Sequence, residues 1–205
     1  MIEANRVTKS YGLGGSKTDV LKGIDLQISD GDFTVILGAS GSGKSTLLNC
    51  LSGLERMDGG SIEYDGLNIA ELSDKALTKF RKDNIGFIFQ QYYLLSYMTV
   101  DKNVRMGADL AGNSDYREII KAVGLETKAA KYPSELSGGE QQRVSVARAL
   151  AKKPKVLFLR SCPTFKGFYQ NYGSLQKNMA VLMNGHQDHH VFACAPHIRN
   201  TSAYQ

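Results

Sequence analysis

Apolar and polar positions alternate between two periods along this chain. Phe33-Thr34-Val35-Ile36-Leu37 is an unbroken apolar, β-branched run and predicts a buried strand. A glycine-rich stretch follows. After it Leu47, Leu48 and Leu51 fall at helical spacing and predict a helix with one face in the core. Upstream, residues 2–32 read as strands and turns. Val20–Ile28 alternates at its end as a half-buried strand does, and Gly12 to Ser16 reads as a turn-rich loop. Downstream, Gly59–Gly66 reads as turn, short strand and turn. Leu72 to Lys82 carries Leu72, Leu77 and Phe80 on helical spacing behind a possible cap, Ser73. Ile85–Phe89 is a strand that ends at Gln90-Gln91. From Tyr92 to about Leu125 the pattern is helical with polar breaks: one stretch over Val100–Met106, another over Tyr116–Val123 closed by Gly124. A long helix runs from Ser137-Gly138-Gly139 to about Lys153, with Val144, Ala147, Leu150 and Ala151 on one face and Pro154 as its stop. Val156–Leu159 supplies another buried strand. The alternation predicts an α/β fold with a mainly parallel sheet flanked by helices.

Composition narrows this little. At 205 residues the chain fits one domain, with room for a subdomain, and its 42% apolar and 22% charged residues are ordinary for a globular protein. The net charge of +5 is mild, and no basic stripe stands out, so no nucleic-acid partner is expected. Cys50, Cys162 and Cys194 have neither metal nor redox spacing and fit a reducing cytosol. The first residues carry no signal-peptide pattern and no apolar run approaches a membrane span, so the chain is not expected to cross a membrane by itself.

The glycine-rich stretch changes the picture. Gly38-Ala39-Ser40-Gly41-Ser42-Gly43-Lys44-Ser45-Thr46 fits G-x-x-x-x-G-K-[ST], the phosphate-binding P-loop, between a strand and a helix as that motif requires. Glycines let backbone amides close round a phosphate, and the helix N-terminus adds its dipole. Lys44 offers a point charge to the β/γ-phosphates, and the Ser45 hydroxyl can ligate Mg²⁺. The plainer reading is a Gly/Ser turn. Ser137-Gly138-Gly139 is a second glycine turn opening a helix: either another anion site or a simply capped start. Tyr11 can stack on a purine base or be an ordinary amphipathic tyrosine. Gln90, leaving a buried strand, can reach a ligand or metal or merely end the strand.

Leu136-Ser137-Gly138-Gly139-Glu140-Gln141-Gln142-Arg143 resembles the signature motif of the ATP-binding cassette (ABC) family, and Gly38–Thr46 its Walker A loop. Tyr11 resembles that family's adenine-stacking aromatic, and Gln90 its Q-loop glutamine, which senses Mg²⁺ and the membrane partner. The resemblance runs from residue 2 to about residue 159. Gln90–Leu95, Thr99-Val100 and Asn103-Val104 are similar to ATPase subunits of lipoprotein-release and macrolide or antimicrobial-peptide exporters. The resemblance implies a P-loop nucleoside triphosphatase with one nucleotide-binding domain over 1–205: a core of about 1–90 and 151–205, and an inserted helical subdomain of about 91–150. It implies an ABC-type ATPase that takes ATP and Mg²⁺, with Ser45 and Gln90 at the metal. Two subunits would pair head to tail, each ATP lying between the Walker A loop of one and Ser137, Gly138, Gly139 and Glu140 of the other. An integral membrane permease would be the third party, placing the chain peripherally on the cytoplasmic face of the membrane.

The tail departs from that pattern. Where the family carries Asp-Glu after its strand, this chain has Arg160-Ser161-Cys162-Pro163-Thr164, so Ser161 stands for the metal-binding Asp and Cys162 for the water-polarising Glu. No acid occurs between Glu140 and Asp188, and Phe168 replaces the D-loop aspartate. His197 is a candidate switch histidine or an incidental one. Residues 160–205 hold all 4 histidines and one of the 20 acids, which makes them atypical. In-frame loss and a slipped reading frame both explain them; the retained Pro163-Thr164 favours the first. Two functions stay open: the ATPase subunit of an exporter, and a catalytically silent ATP-binding module. A chromosome-type or DNA-repair relative would need a long coiled coil between the two glycine turns, and no sustained heptads occur there.

Overall fold

The computed structural model describes residues 1–12, 16–89, 91–160, 180–184 and 198–201, the last four and 183–184 as backbone alone. The chain divides into two compact units, Met1–Arg81 with Ala180–Gln205, and Lys82–Met179.

In the first unit an antiparallel sheet is built from β1 (Ile2–Tyr11), β2 (Thr18–Ile28), β4 (Gly59–Tyr64) and β5 (Leu67–Asn68), in the order β2-β1-β4-β5. In β1, Ile2 and Ala4 are buried at period two. The pattern then skips to buried Val7, because a bulge with Arg6 at φ +49° inserts an extra residue. Gly60 is what lets β4 follow: a Cβ there would lie 2.4 Å from the Asn5 carbonyl oxygen. The second sheet of this unit is parallel. β3 (Phe33–Ile36) lies between β8 (Ala180–Asn184) and β9 (Ile198–Thr201), and all four β3 residues are buried. The continuous apolar run is therefore a strand buried on both faces, as parallel sheets require. The helix α1 (Lys44–Leu51) buries Leu47, Leu48 and Leu51, the face expected from spacing. The helix α2 (Asp74–Asn84) starts behind Ser73, whose hydroxyl accepts from the Ala76 amide at 3.3 Å. Tyr64 closes the packing: its ring meets Phe80 edge-on at 4.9 Å and its hydroxyl donates to the Leu51 carbonyl at 2.6 Å.

In the second unit β6 (Ile85–Ile88) pairs in parallel with β7 (Val156–Arg160). Three helices share one apolar cluster: α3 (Val100–Ala111), α4 (Tyr116–Ala122) and α5 (Gly138–Ala151). Two details differ from the expectation. α3 continues past Met106 through Gly107 to Ala111, and Gly112 at φ +62° ends it. Gly107 is not a breaker. It is where α3 touches α5: an added Cβ would sit 2.2 Å from the Arg148 carbonyl oxygen. α5 is buried on more than one face, since Gln142, Ser145 and Ala149 join Val144 and Ala147 in the interior. Gly124 at φ +69° follows α4 as its left-handed cap, as expected.

The α/β core with a parallel sheet is present, and the expected "mainly parallel" sheet is joined by a wholly antiparallel one. β8 and β9 are additions to the elements expected from the sequence. Among the described residues no helix is long and apolar enough to cross a membrane.

Candidate functional site

Gly38–Thr46 leaves β3 and turns into α1. Gly43 is the N-cap, at φ +86°, and an added Cβ would meet the Val20 side chain at 3.0 Å. No other residue type fits that turn without strain. The cap supplies no side-chain acceptor, and the first turn of α1 contains no acid. Helices usually start with one or both, so neither a cap side chain nor a first-turn acid offsets the positive end of this helix. Lys44 is only 7% exposed. Its ammonium donates to the Gly38 carbonyl at 2.7 Å, the Ala39 carbonyl at 2.6 Å and the Ser42 hydroxyl at 3.5 Å, curling the loop over a buried cation. No carboxylate accepts from it in any of these bonds.

Tyr11, remote in sequence, ends β1 beside this loop. Its hydroxyl donates to Thr46 Oγ1 at 3.5 Å, and its side chain is 41% exposed. The Lys9 ammonium lies 5.6 Å from the ring centroid and pairs with Asp58 at 3.0 Å and Glu55 at 3.9 Å. Partial burial and the Glu55 carboxylate push the Tyr11 phenol above its ordinary pKa, so it stays neutral.

The second glycine turn is in the other unit. Ser137 caps α5: its hydroxyl accepts from the Glu140 amide at 3.4 Å, and Glu140 Oε2 accepts from the Ser137 amide at 2.8 Å. This is a capping box. The other Glu140 oxygen takes a hydrogen bond from Lys128, and the two partners hold the carboxyl down at about 2, Lys128 contributing most. Gln141 donates to the Pro133 carbonyl at 3.0 Å and the Leu136 carbonyl at 3.2 Å, tying the turn to the segment before it. Ser137, Gly138 and Gly139 remain exposed.

Three supporting residues have structural roles that apolar periodicity does not indicate. Lys128 is one. Asn103, fully buried, is another: its amide donates to the carbonyls of Leu95, Met98 and Thr99 and accepts from the Leu95 amide. Arg148 is the third. It donates to the carbonyls of Tyr93 at 2.8 Å and Tyr92 at 2.9 Å, fixing the chain just beyond position 90, and burial lowers its pKa. Apart from the Asn103–Thr99 bond, which spans one helical turn, these contacts join residues with no shared periodicity. Of the residues singled out from sequence, Gln90, Ser161, Cys162, Pro163, Thr164, Phe168 and His197 lie outside the described residues. Among the described residues no group of three or more His, Cys, Asp or Glu side chains could hold a metal ion.

A family model described as "ABC transporter" matches residues 21–160. The chain belongs to the ABC transporter family. The match stops where the acid-poor tail of this ABC chain begins. A putative ABC transporter ATP-binding protein of Mycoplasma pneumoniae, the MG065 homolog, is 49% identical over 162 residues, covering 77% of this chain and 35% of that protein. The lipoprotein-releasing system ATP-binding protein LolD of Geobacter metallireducens is 45% identical over 163 residues, covering 77% of this chain and 72% of LolD. Thus the chain spans about a third of one relative and most of the other. LolD is in the group that the wording of residues 90–104 resembles. Among solved structures, the ATP-binding cassette MJ0796, described as a dimer in a post-hydrolysis state bound to ADP and Pi, superimposes with a TM-score of 0.79 at 34% identity, covering 90% of this chain and 87% of that one. The fold is that of an ABC ATPase cassette, a P-loop α/β architecture, and the chain is an ATP-binding component of the ABC transporter type.

Proposed function

We propose that this ABC chain binds ATP as one half of a head-to-tail pair whose closure acts on a separate integral membrane permease from the cytoplasmic face, and that it hydrolyses ATP slowly. In this reading residues 1–205 form one nucleotide-binding domain, with the helical stretch 91–150 as its subdomain. The observation that carries ATP binding is the loop around Lys44: a buried ammonium held by carbonyls, at the start of a helix with neither cap side chain nor acid. Such a site favours phosphate through amides and one cation. Residues Gly38–Thr46 take the phosphates, and Tyr11 stacks on the base. Ser137, Gly138 and Gly139 of the paired subunit face the same nucleotide, with Glu140 behind them.

Mg²⁺ fits this site only as part of the nucleotide. Ser45 and Gln90 are hard but neutral oxygen donors, and the described residues offer no cluster of acids. Mg²⁺ keeps waters and takes substrate phosphates in such sites. When bound it would neutralise phosphate charge.

Slow turnover rests on the sequence at the end of β7 and beyond it. A positioned general base contributes about 10²–10⁴-fold; Cys162 is a neutral thiol at that position, Ser161 lacks charge, and Arg160 adds a positive one. Titration calorimetry tests the proposal. ATP binds the purified chain, Lys44→Ala weakens that binding about 10–100-fold, as loss of charged hydrogen bonds does, and Mg²⁺ without nucleotide gives no heat. Phosphate release stays below about 1 s⁻¹, the low end of ordinary enzyme rates. Undiminished binding by Lys44→Ala, or faster release, refutes the reading.

A further inference from the structure

The turn proposed to face a paired subunit's nucleotide contains an electrostatic contradiction. Glu140 is the third residue of α5, and its carboxylate lies against the Ser137 amide at 2.8 Å. An acid there suits the helix's own dipole. It also places a negative charge one residue from the exposed glycines where a polyphosphate would approach, and like charges at that range repel. Lys128 resolves the conflict. It ends a single-turn 3-10 helix, Glu126–Lys128, whose backbone is fixed by Lys128 N–H to the Leu125 carbonyl at 3.0 Å and Lys131 N–H to the Lys128 carbonyl at 2.9 Å. From that support its ammonium donates to the Glu140 oxygen that Ser137 does not use. Other charges nearby are accounted for. Glu135 is held by Lys131 at 2.7 Å and by the Tyr132 amide at 2.7 Å. The Arg143 guanidinium comes within 3.9 Å of where a Gly139 Cβ would be.

We infer that Lys128 is a positioning residue for nucleotide engagement by the Ser137–Gly139 turn: it neutralises Glu140, so the carboxylate can cap α5 without repelling the nucleotide held by the paired subunit. The inference rests on the head-to-tail reading above. It makes the acid tolerable only with its lysine. Removing the lysine harms pairing, and removing the acid as well restores it.

The experiment is ATP-driven dimerisation by sedimentation velocity in low salt, with ATP binding to each variant measured by calorimetry. Lys128→Met is expected to weaken dimerisation about tenfold, the scale of one uncompensated like-charge contact, while leaving binding to the P-loop unchanged. Lys128→Arg should dimerise as the native chain does. The pair Lys128→Met with Glu140→Gln should return to within about twofold of the native value, and the Lys128→Met defect should shrink in about 0.5 M salt as screening predicts. A structural tether between residue 128 and α5 would give no rescue, since Glu140→Gln cannot restore it. Native-like dimerisation of Lys128→Met, or a double variant as weak as Lys128→Met, overturns this inference and leaves the function standing. A native chain that binds ATP but never dimerises overturns both this inference and the head-to-tail pair. A native chain that binds no ATP overturns the functional reading itself, and this inference with it.

Discussion

Glu140 shows how much of this chain's chemistry is decided by single side-chain contacts. Lys128 and the Ser137 amide hold its carboxyl down at about 2, against an ordinary value of about 4.3 for glutamate. A depressed acid stabilises the fold at pH above its ordinary value, and that contribution disappears as pH falls through the folded value. Glu135, Asp74 and Asp58 are lowered too, each chiefly by a lysine or arginine hydrogen bond. Acid unfolding followed by circular dichroism is therefore expected to steepen between about pH 4.5 and 2. Glu140→Gln should flatten it, and an unchanged slope would show that the Lys128 contact is not maintained in solution. The residues legible from sequence were those whose partners are close by in the chain. The Ser137–Glu140 box closes over three residues and is readable as a pattern. Lys128 was not readable, because a lysine in a polar stretch looks like any solvated lysine until the fold brings it to Glu140.

Helix α3 carries the corresponding lesson for elements. Its hydrophobic spacing identifies it, and Thr99 caps it through a 3.4 Å bond from the Lys102 amide. It runs to Ala111, five residues beyond the stretch expected over Val100–Met106. Gly107 is retained by contact with α5, which period-based reading cannot detect. Gly107→Ala raises helix propensity, yet places a methyl 2.2 Å from the Arg148 carbonyl oxygen. The clash is with backbone, which cannot rotate away, so the variant should lose about 3 kcal/mol of stability by chemical denaturation. A gain would mean that the two helices separate easily. The same movement would disturb Arg148, which holds the Tyr92 and Tyr93 carbonyls. Asn103 illustrates the other kind of hidden constraint. A buried amide satisfied by four backbone bonds fixes the loop 95–99, a role that its place in the family resemblance does not reveal.

For the whole molecule, the family match and the sequence break coincide at residue 160. Everything that binds phosphate in the proposed function lies before that point, and everything that would activate water lies after it. Ser161→Asp combined with Cys162→Glu should raise ATP turnover by about 10²–10⁴-fold if only the base and its metal partner are missing. Phosphate release measures this, and no gain would mean that the later residues fail as well. The strand Ala180–Asn184 beside β3 could not be anticipated, because its short apolar run sits in a tail without the family's pattern.

Tyr11 has an optical consequence. The chain has no tryptophan and 10 tyrosines. Replacing Tyr11, exposed at the loop's edge, with tryptophan would create a single indole emitter at the place proposed for the base. Its emission should be quenched by ATP and unaffected by inorganic triphosphate, because only an aromatic base can lie against the indole face. Equal responses to both would locate the nucleotide by its phosphates alone and leave the tyrosine as part of the wall.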